Sequence, residues 1–343
     1  MLGALRAPRQ NMIVFENKFD QSKPIGSLEP NKHIELGGSQ ILVGYQNGWV
    51  SLYDFTSRSN IWWQAIKGDL SAAAMMDGRT AVSSTDGVLY FLDSKTGKLI
   101  WQQKHQGFVE KKPIKANCGI AVQTANELLY CFDQTSGKEV FNTPLGGTTG
   151  RTTIRSYSQI VSSGNFLWLG SNSGTLVKID GSSGRIIQKS NPAQVGGKFK
   201  SIVGEIVVGS DYIIFGEYNG NIQKVSKQTL KPLQSVSLGR LYDLASHNGE
   251  ILVSTKNHQL KSLSKSDLKE LWTYQHDENI SYLKNVEGQW YGVGSRGSIV
   301  SVDSKGKQRW SDFLETELRP EIFACGSSVC FSSASSSLYS YQR

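Results

Sequence analysis

An all-β, eight-bladed β-propeller of four-stranded antiparallel blades is the fold the sequence predicts. Three observations carry it. A unit of about 40 residues recurs eight times. Each unit reads as strands separated by glycine turns. A strand-like segment near the N-terminus is available to complete the last unit.

The eight copies begin with "ILVGYQNGWVSLYDFTSRSNIWW" (41–63), "TAVSSTDGVLYFLDSKTGKLIW" (80–101) and "IAVQTANELLYCFDQTSGKEVF" (120–141). "FLWLGSNSGTLVKIDGSSGRIIQ" (166–188), "YIIFGEYNGNIQKVSKQTLKPLQ" (212–234) and "ILVSTKNHQLKSLSKSDLKELW" (251–272) follow. "WYGVGSRGSIVSVDSKGKQRW" (290–310) and "VCFSSASSSLYSYQR" (329–343) end the series. The aspartate slot falls at Asp54, Asp93, Asp133, Asp180, Ser226, Ser264, Asp303 and Tyr341, at intervals of 39, 40, 47, 46, 38, 39 and 38 residues.

Each part of the unit has a physical reading. Alternating apolar runs are strands. The pairs Asn-Gly, Asp-Gly, Ser-Gly and Arg-Gly stand where a hairpin reverses, because glycine supplies positive φ. "SKTGK", "QTSGK" and "GSSGR" make the next turn, and the preceding aspartate can accept its amides. The closing aromatic (Trp62, Trp101, Phe141, Trp272, Trp310) is expected to pack one unit on the next. The eighth copy lacks its last strand. "MIVFENKF" (12–19) is expected to supply it, with 1–11 a flexible lead and 1–343 a single domain. Closure would remove an exposed sheet edge.

Composition agrees. Glycine is abundant (35) and proline scarce (8), as many tight turns require. No apolar run approaches the roughly 18 residues of a membrane helix. The start, "MLGALRAPRQNMIVFENKFD", is not a complete signal peptide, so the chain is either cytoplasmic or read without its leader. The net charge is +8, with its densest basic run at 109–115. Solvated lysines on a β protein are the reading adopted, and no nucleic acid is expected. Cys118 and Cys131 flank one hairpin, Cys325 and Cys330 another. Cross-strand neighbours can approach bridging distance. Four small buried thiols are the simpler expectation, so cysteine leaves the compartment open.

No catalytic constellation stands out. The histidines (His33, His105, His247, His258, His276) have no ligand spacing. "GGTTGRTT" (146–153) lacks the Gly-Lys-Ser/Thr of a phosphate loop. No enzyme, cofactor or metal is expected. The repeat spacing points to binding instead. The two successive intervals of 47 and 46 place extra residues at about 143–158 and 190–202, between the outer strand of one blade and the inner strand of the next. Long loops on one face of a repeat protein mark a binding surface.

The unit "DGxLYxLDxxTGKxxW", its eight copies, the closing N-terminal strand and the ending "LYSYQR" resemble the PQQ-type propellers. Among these the chain is most similar, over its full length, to the BamB family of outer-membrane protein assembly lipoproteins. The resemblance implies a periplasmic, outer-membrane-associated scaffold of the β-barrel assembly (BAM) complex. Its partners would be a POTRA domain of BamA and nascent outer-membrane proteins. A lipid anchor would sit where Met1 stands. The family's Ser-Leu-Arg-Gly docking segment matches "TTIRSYS" (152–158), which implicates Thr152, Ile154, Arg155 and Ser156. Ser156 replaces the family's glycine. The family's acidic Asp-x-Asp pair falls on Ser201 and Val203, preceded by Lys198 and Lys200, so the charge there changes sign. The alternatives are a generic propeller hub for an acidic partner and, third, a quinoprotein enzyme. The latter carries long pocket-forming insertions that are missing here.

Overall fold

The computed structural model describes residues 30–46, 48–109, 111–146, 158–190, 201–335 and 337–343, and the backbone of Gln10–Ile13. Among these, 32 strands form eight four-stranded antiparallel sheets, with no helix. Strands are lettered A to D from the axis outward. In blade 2 they are Leu70–Met76, Arg79–Ser84, Val88–Asp93 and Leu99–Lys104. The A strands of successive blades touch around the ring, and Leu318–Cys325 of blade 8 meets Pro30–Gly37 of blade 1. The fold is the expected eight-bladed propeller.

The pattern of apolar residues follows from this stacking. Strands B and C are covered on both faces by neighbouring blades, so they are buried almost throughout. Strand D lies at the rim and alternates. The hydrophobic cores accordingly lie between blades: Leu42, Leu52 and Trp62 of blade 1 pack with Leu70, Val82 and Leu92 of blade 2.

The recurrent aspartate holds the C–D turn. Asp93 accepts from Lys95 N (3.1 Å) and Thr96 N (3.0 Å), and Asp180 from Ser182 N (3.1 Å) and Ser183 N (2.8 Å). Ser264 does the same more sparingly, taking Ser266 N at 3.1 Å. In blade 8 the slot belongs to Gln342, not Tyr341. Gln342 pairs with Ser328 as Asp93 pairs with Arg79, each partner opening its B strand. Tyr341 turns inward instead and stacks on Trp310 at 5.0 Å.

The closing aromatic locks adjacent blades. Trp62 Nε1 donates to Ser94 O (2.8 Å), Trp101 Nε1 to Gln134 O (3.0 Å) and Trp272 Nε1 to Ser304 O (2.9 Å). Each ring lies over the glycine of the next blade's C–D turn. A Cβ at Gly97 would stand 2.6 Å from Trp62, and one at Gly306 2.5 Å from Trp272.

The residue before this closing position, which is glutamine in blades 4 and 5, has its own role. In blades 1 to 7 the C–D pairing skips one D residue, a β-bulge. The bulged residues are Ile61, Ile100, Val140, Ile187, Leu233, Leu271 and Arg309. The six aliphatic ones are exposed. A bulge breaks the regular edge on which another chain could pair.

Two expectations change. The closing strand is Gln10–Ile13, running from Gln10 opposite Tyr341 to Ile13 opposite Leu338. It thus begins inside the segment expected to be a flexible lead, and 14–19 lie outside the described residues. The four cysteines are not free thiols but two disulfides, Cys118–Cys131 and Cys325–Cys330, with Cα separations of 6.2 and 5.9 Å. The A–B hairpin of blade 8 puts Cys325 and Cys330 on adjoining strands, and the A–B turn of blade 3 brings Cys118 beside Cys131 on strand C, both within bridging range.

Candidate partner-docking face

In an up-and-down blade the B–C turns and the D–A connections emerge together on one face. The two overlong connections therefore share a face. The first joins blade 3's D strand, ending at Pro144, to blade 4's A strand, opening at Val161; the second joins Lys189 to Ile202.

Their stems are tied to one another. Lys189 Nζ, at the end of blade 4's D strand, donates to Leu145 O at 2.8 Å. Leu145 N donates to Glu127 O at 2.9 Å. Glu127 Oε1 accepts Asn172 N at 2.6 Å, and Asn172 O accepts Ser201 Oγ at 3.1 Å. Gly170 N donates to Ser158 Oγ at 2.7 Å, and Gln123 Nε2 reaches Gly170 O at 3.3 Å. Glu127, Asn172, Ser158 and Ser201 are all buried. Both connections thus spring from one hydrogen-bonded root at the junction of blades 3, 4 and 5. Buried hydrogen bonds of this kind hold their members in place, although Asn172 Oδ1 and Gln123 Oε1 are left without a partner among the described residues.

Glu127 and Asn172 were not singled out by sequence reasoning, yet a signal was present. Glu127 occupies the B–C turn position that is Gly87 in blade 2, and it holds φ = 58°. A side chain in that region costs about 1 kcal/mol or more. The carboxylate's bond to the next blade's backbone offsets that cost.

Of the expected contact residues, Thr152, Ile154, Arg155, Ser156, Lys198 and Lys200 lie outside the described residues. Ser201 is described. It is 1% exposed, and its hydroxyl serves the root. Val203 is buried in the core of blades 5 and 6. Of the histidines, His33 is buried, bonds Ser332 Oγ at 2.9 Å, and is held by burial at a pKa of about 4. That is the chemistry of a packed histidine. Among the described residues no three His, Cys, Asp or Glu side chains gather as metal ligands would.

Fold and face together define an eight-bladed β-propeller in which two long connections leave one face from a shared hydrogen-bonded root. The family model for the outer membrane protein assembly factor BamB matches residues 46–236, more than half of the chain. The chain belongs to the BamB family. Among its relatives, the outer membrane protein assembly factor BamB of Moranella endobia is 22% identical over 302 residues, 83% of this chain and 76% of the relative. That of Yersinia pestis is 21% identical over 326 residues, covering 86% and 79%. The crystal structure of BamB from Moraxella catarrhalis superposes with a TM-score of 0.76 at 15% identity, covering 92% of this chain and all of that one. The computationally designed protein Ika8 superposes nearly as well, at 0.74 and 13% identity. These structural likenesses show the fold alone.

Proposed function

We propose that this chain is a non-catalytic scaffold subunit of the outer-membrane β-barrel assembly machinery. It docks on a POTRA domain of BamA through the connections at about 143–158 and 190–202, and so aids insertion of outer-membrane proteins. It works in the periplasm, held to the outer membrane by an N-terminal lipid. Family membership supports the process, and two disulfides fit an oxidising compartment. The observation that carries the docking site is the shared root, from which both overlong connections leave on one face. Ile154 supplies an apolar anchor beside Arg155, whose planar fork suits a carboxylate. Lys198 and Lys200 lie just before Ser201 and Val203, which replace the family's acidic pair, so the partner face carries compensating negative charge. A photo-crosslinking residue placed at Ile154 is expected to capture BamA in cells, whereas one at Phe313 on the rim is not. Capture from neither position, or from Phe313 alone, would leave the hub reading in its place.

A further inference from the structure

The axial channel gathers four ammonium groups around two carboxyls. Its cavity, of about 220 Å³, is lined by Lys32, Lys111, Lys112, Lys284, Glu35 and Glu321. Glu35 of blade 1 reaches sideways to both flanks: it pairs with Lys284 of blade 7 and lies 3.7 Å from Lys112 at the entry to blade 3. One carboxylate is therefore shared by two ammonium groups. The other channel carboxyls, Asp243 and Glu205, stay within electrostatic reach of Lys111 and Lys284 but bond to backbone. Asp243 accepts the backbone N–H groups of Leu244 (2.9 Å) and Leu283 (2.8 Å), and Glu205 that of Ser246 (2.8 Å). Glu321 keeps a buried oxygen without a hydrogen bond. Burial pushes its carboxyl upward, toward the neutral form. Burial lowers the Lys112 ammonium; Glu35 opposes that and neighbouring Lys284 adds to it. Like charges a few ångströms apart in a recessed site repel strongly. The chain retains them all the same.

We propose that this channel is a binding site for a small oxyanion, phosphate or a short dicarboxylate, held by Lys112 and Lys284 with Lys32 and Lys111 at the cavity wall. Such an anion supplies several acceptors at once and makes charge-assisted bonds that a shared carboxylate cannot. A cavity of about 220 Å³ admits either class. The site is separate from the loop face and holds whether or not that face docks on BamA.

The test is calorimetric titration of the whole chain with inorganic phosphate and, separately, with succinate, at fixed ionic strength. Saturable binding of at least one is expected, and the stronger ligand names the class. Joint Lys112→Met and Lys284→Met substitution should weaken binding about tenfold or more. Glu35→Gln should tighten it by a similar factor, because it frees both ammonium groups. A purely structural Glu35 would give no such gain. Circular dichroism verifies that each variant is folded. Absence of saturable binding by both probes overturns the proposal, as does Glu35→Gln binding no tighter than wild type.

Discussion

The Glu127 carboxylate accepts the backbone N–H of Asn172 at 2.6 Å, bridging the B–C turns of blades 3 and 4 at the root of the two overlong connections. Removing it should loosen the root. Glu127→Ala leaves a buried N–H unpaired and is expected to cost about 2 kcal/mol. Glu127→Gln keeps an acceptor oxygen and should retain most of the stability. Denaturant unfolding of the three proteins checks this, and equal losses for Ala and Gln would show that the hydrogen bond is not what matters.

The contact between Trp62 and Gly97 makes a sharper packing prediction. Gly97 and Gly78 share φ = 70°, but a Cβ at Gly78 meets nothing within 4 Å whereas one at Gly97 collides with the indole. Gly78→Ala should cost about 1 kcal/mol, the backbone cost alone. Gly97→Ala should cost roughly 1–3 kcal/mol more, because the ring must shift. Matching urea midpoints would remove the aromatic–glycine contact as a source of blade cohesion.

Reduction should destabilise the ring in two unequal steps. Cys118–Cys131 closes 13 residues of sequence and Cys325–Cys330 only 5. Loop-closure entropy gives about 3 and about 2 kcal/mol respectively. Cys118→Ser with Cys131→Ser should thus lower the melting temperature more than Cys325→Ser with Cys330→Ser. The reverse order would refute the loop-length argument.

Acid and base should act on different groups. The Thr96 hydroxyl and the turn amides hold Asp93 below the usual carboxylate range. The Ser136 hydroxyl acts likewise on Asp133, and the Ser183 amide on Asp180. A depressed folded pKa stabilises above the unfolded value and is lost as pH falls through the folded one. Stability should therefore drop below about pH 4. Burial pushes Asp243 the other way, to about 7. Its contribution is greatest below about pH 4 and declines as pH rises toward 7. Asp243→Asn should flatten the stability profile between about pH 5 and 7. An unchanged slope in that variant would assign the titration to another group.

What could be read in the sequence was whatever the repeat enforces. Asp93 and Trp62 serve contacts made in most blades, so their spacing gave both fold and blade count. What departs from the repeat was harder. Gln342 was missed because its slot is defined by pairing with Ser328, not by residue type. The disulfides depend on which way two side chains point from a hairpin, and spacing does not encode that. Glu127 acts across 45 residues of sequence on Asn172, and only its place in a glycine slot hinted at it. The loops themselves were legible as length, through the intervals of 47 and 46.

The docking claim is tested most directly by titrating the BamA POTRA domains of the same organism with wild type and Arg155→Glu, at low and high salt. A central interfacial arginine contributes roughly 2 kcal/mol, so the variant should bind about thirtyfold more weakly or worse while unfolding at the wild-type midpoint. The loss should shrink at high salt as the reversed charge is screened. Equal affinity of the two folded proteins, or no binding by the wild type, would contradict the account.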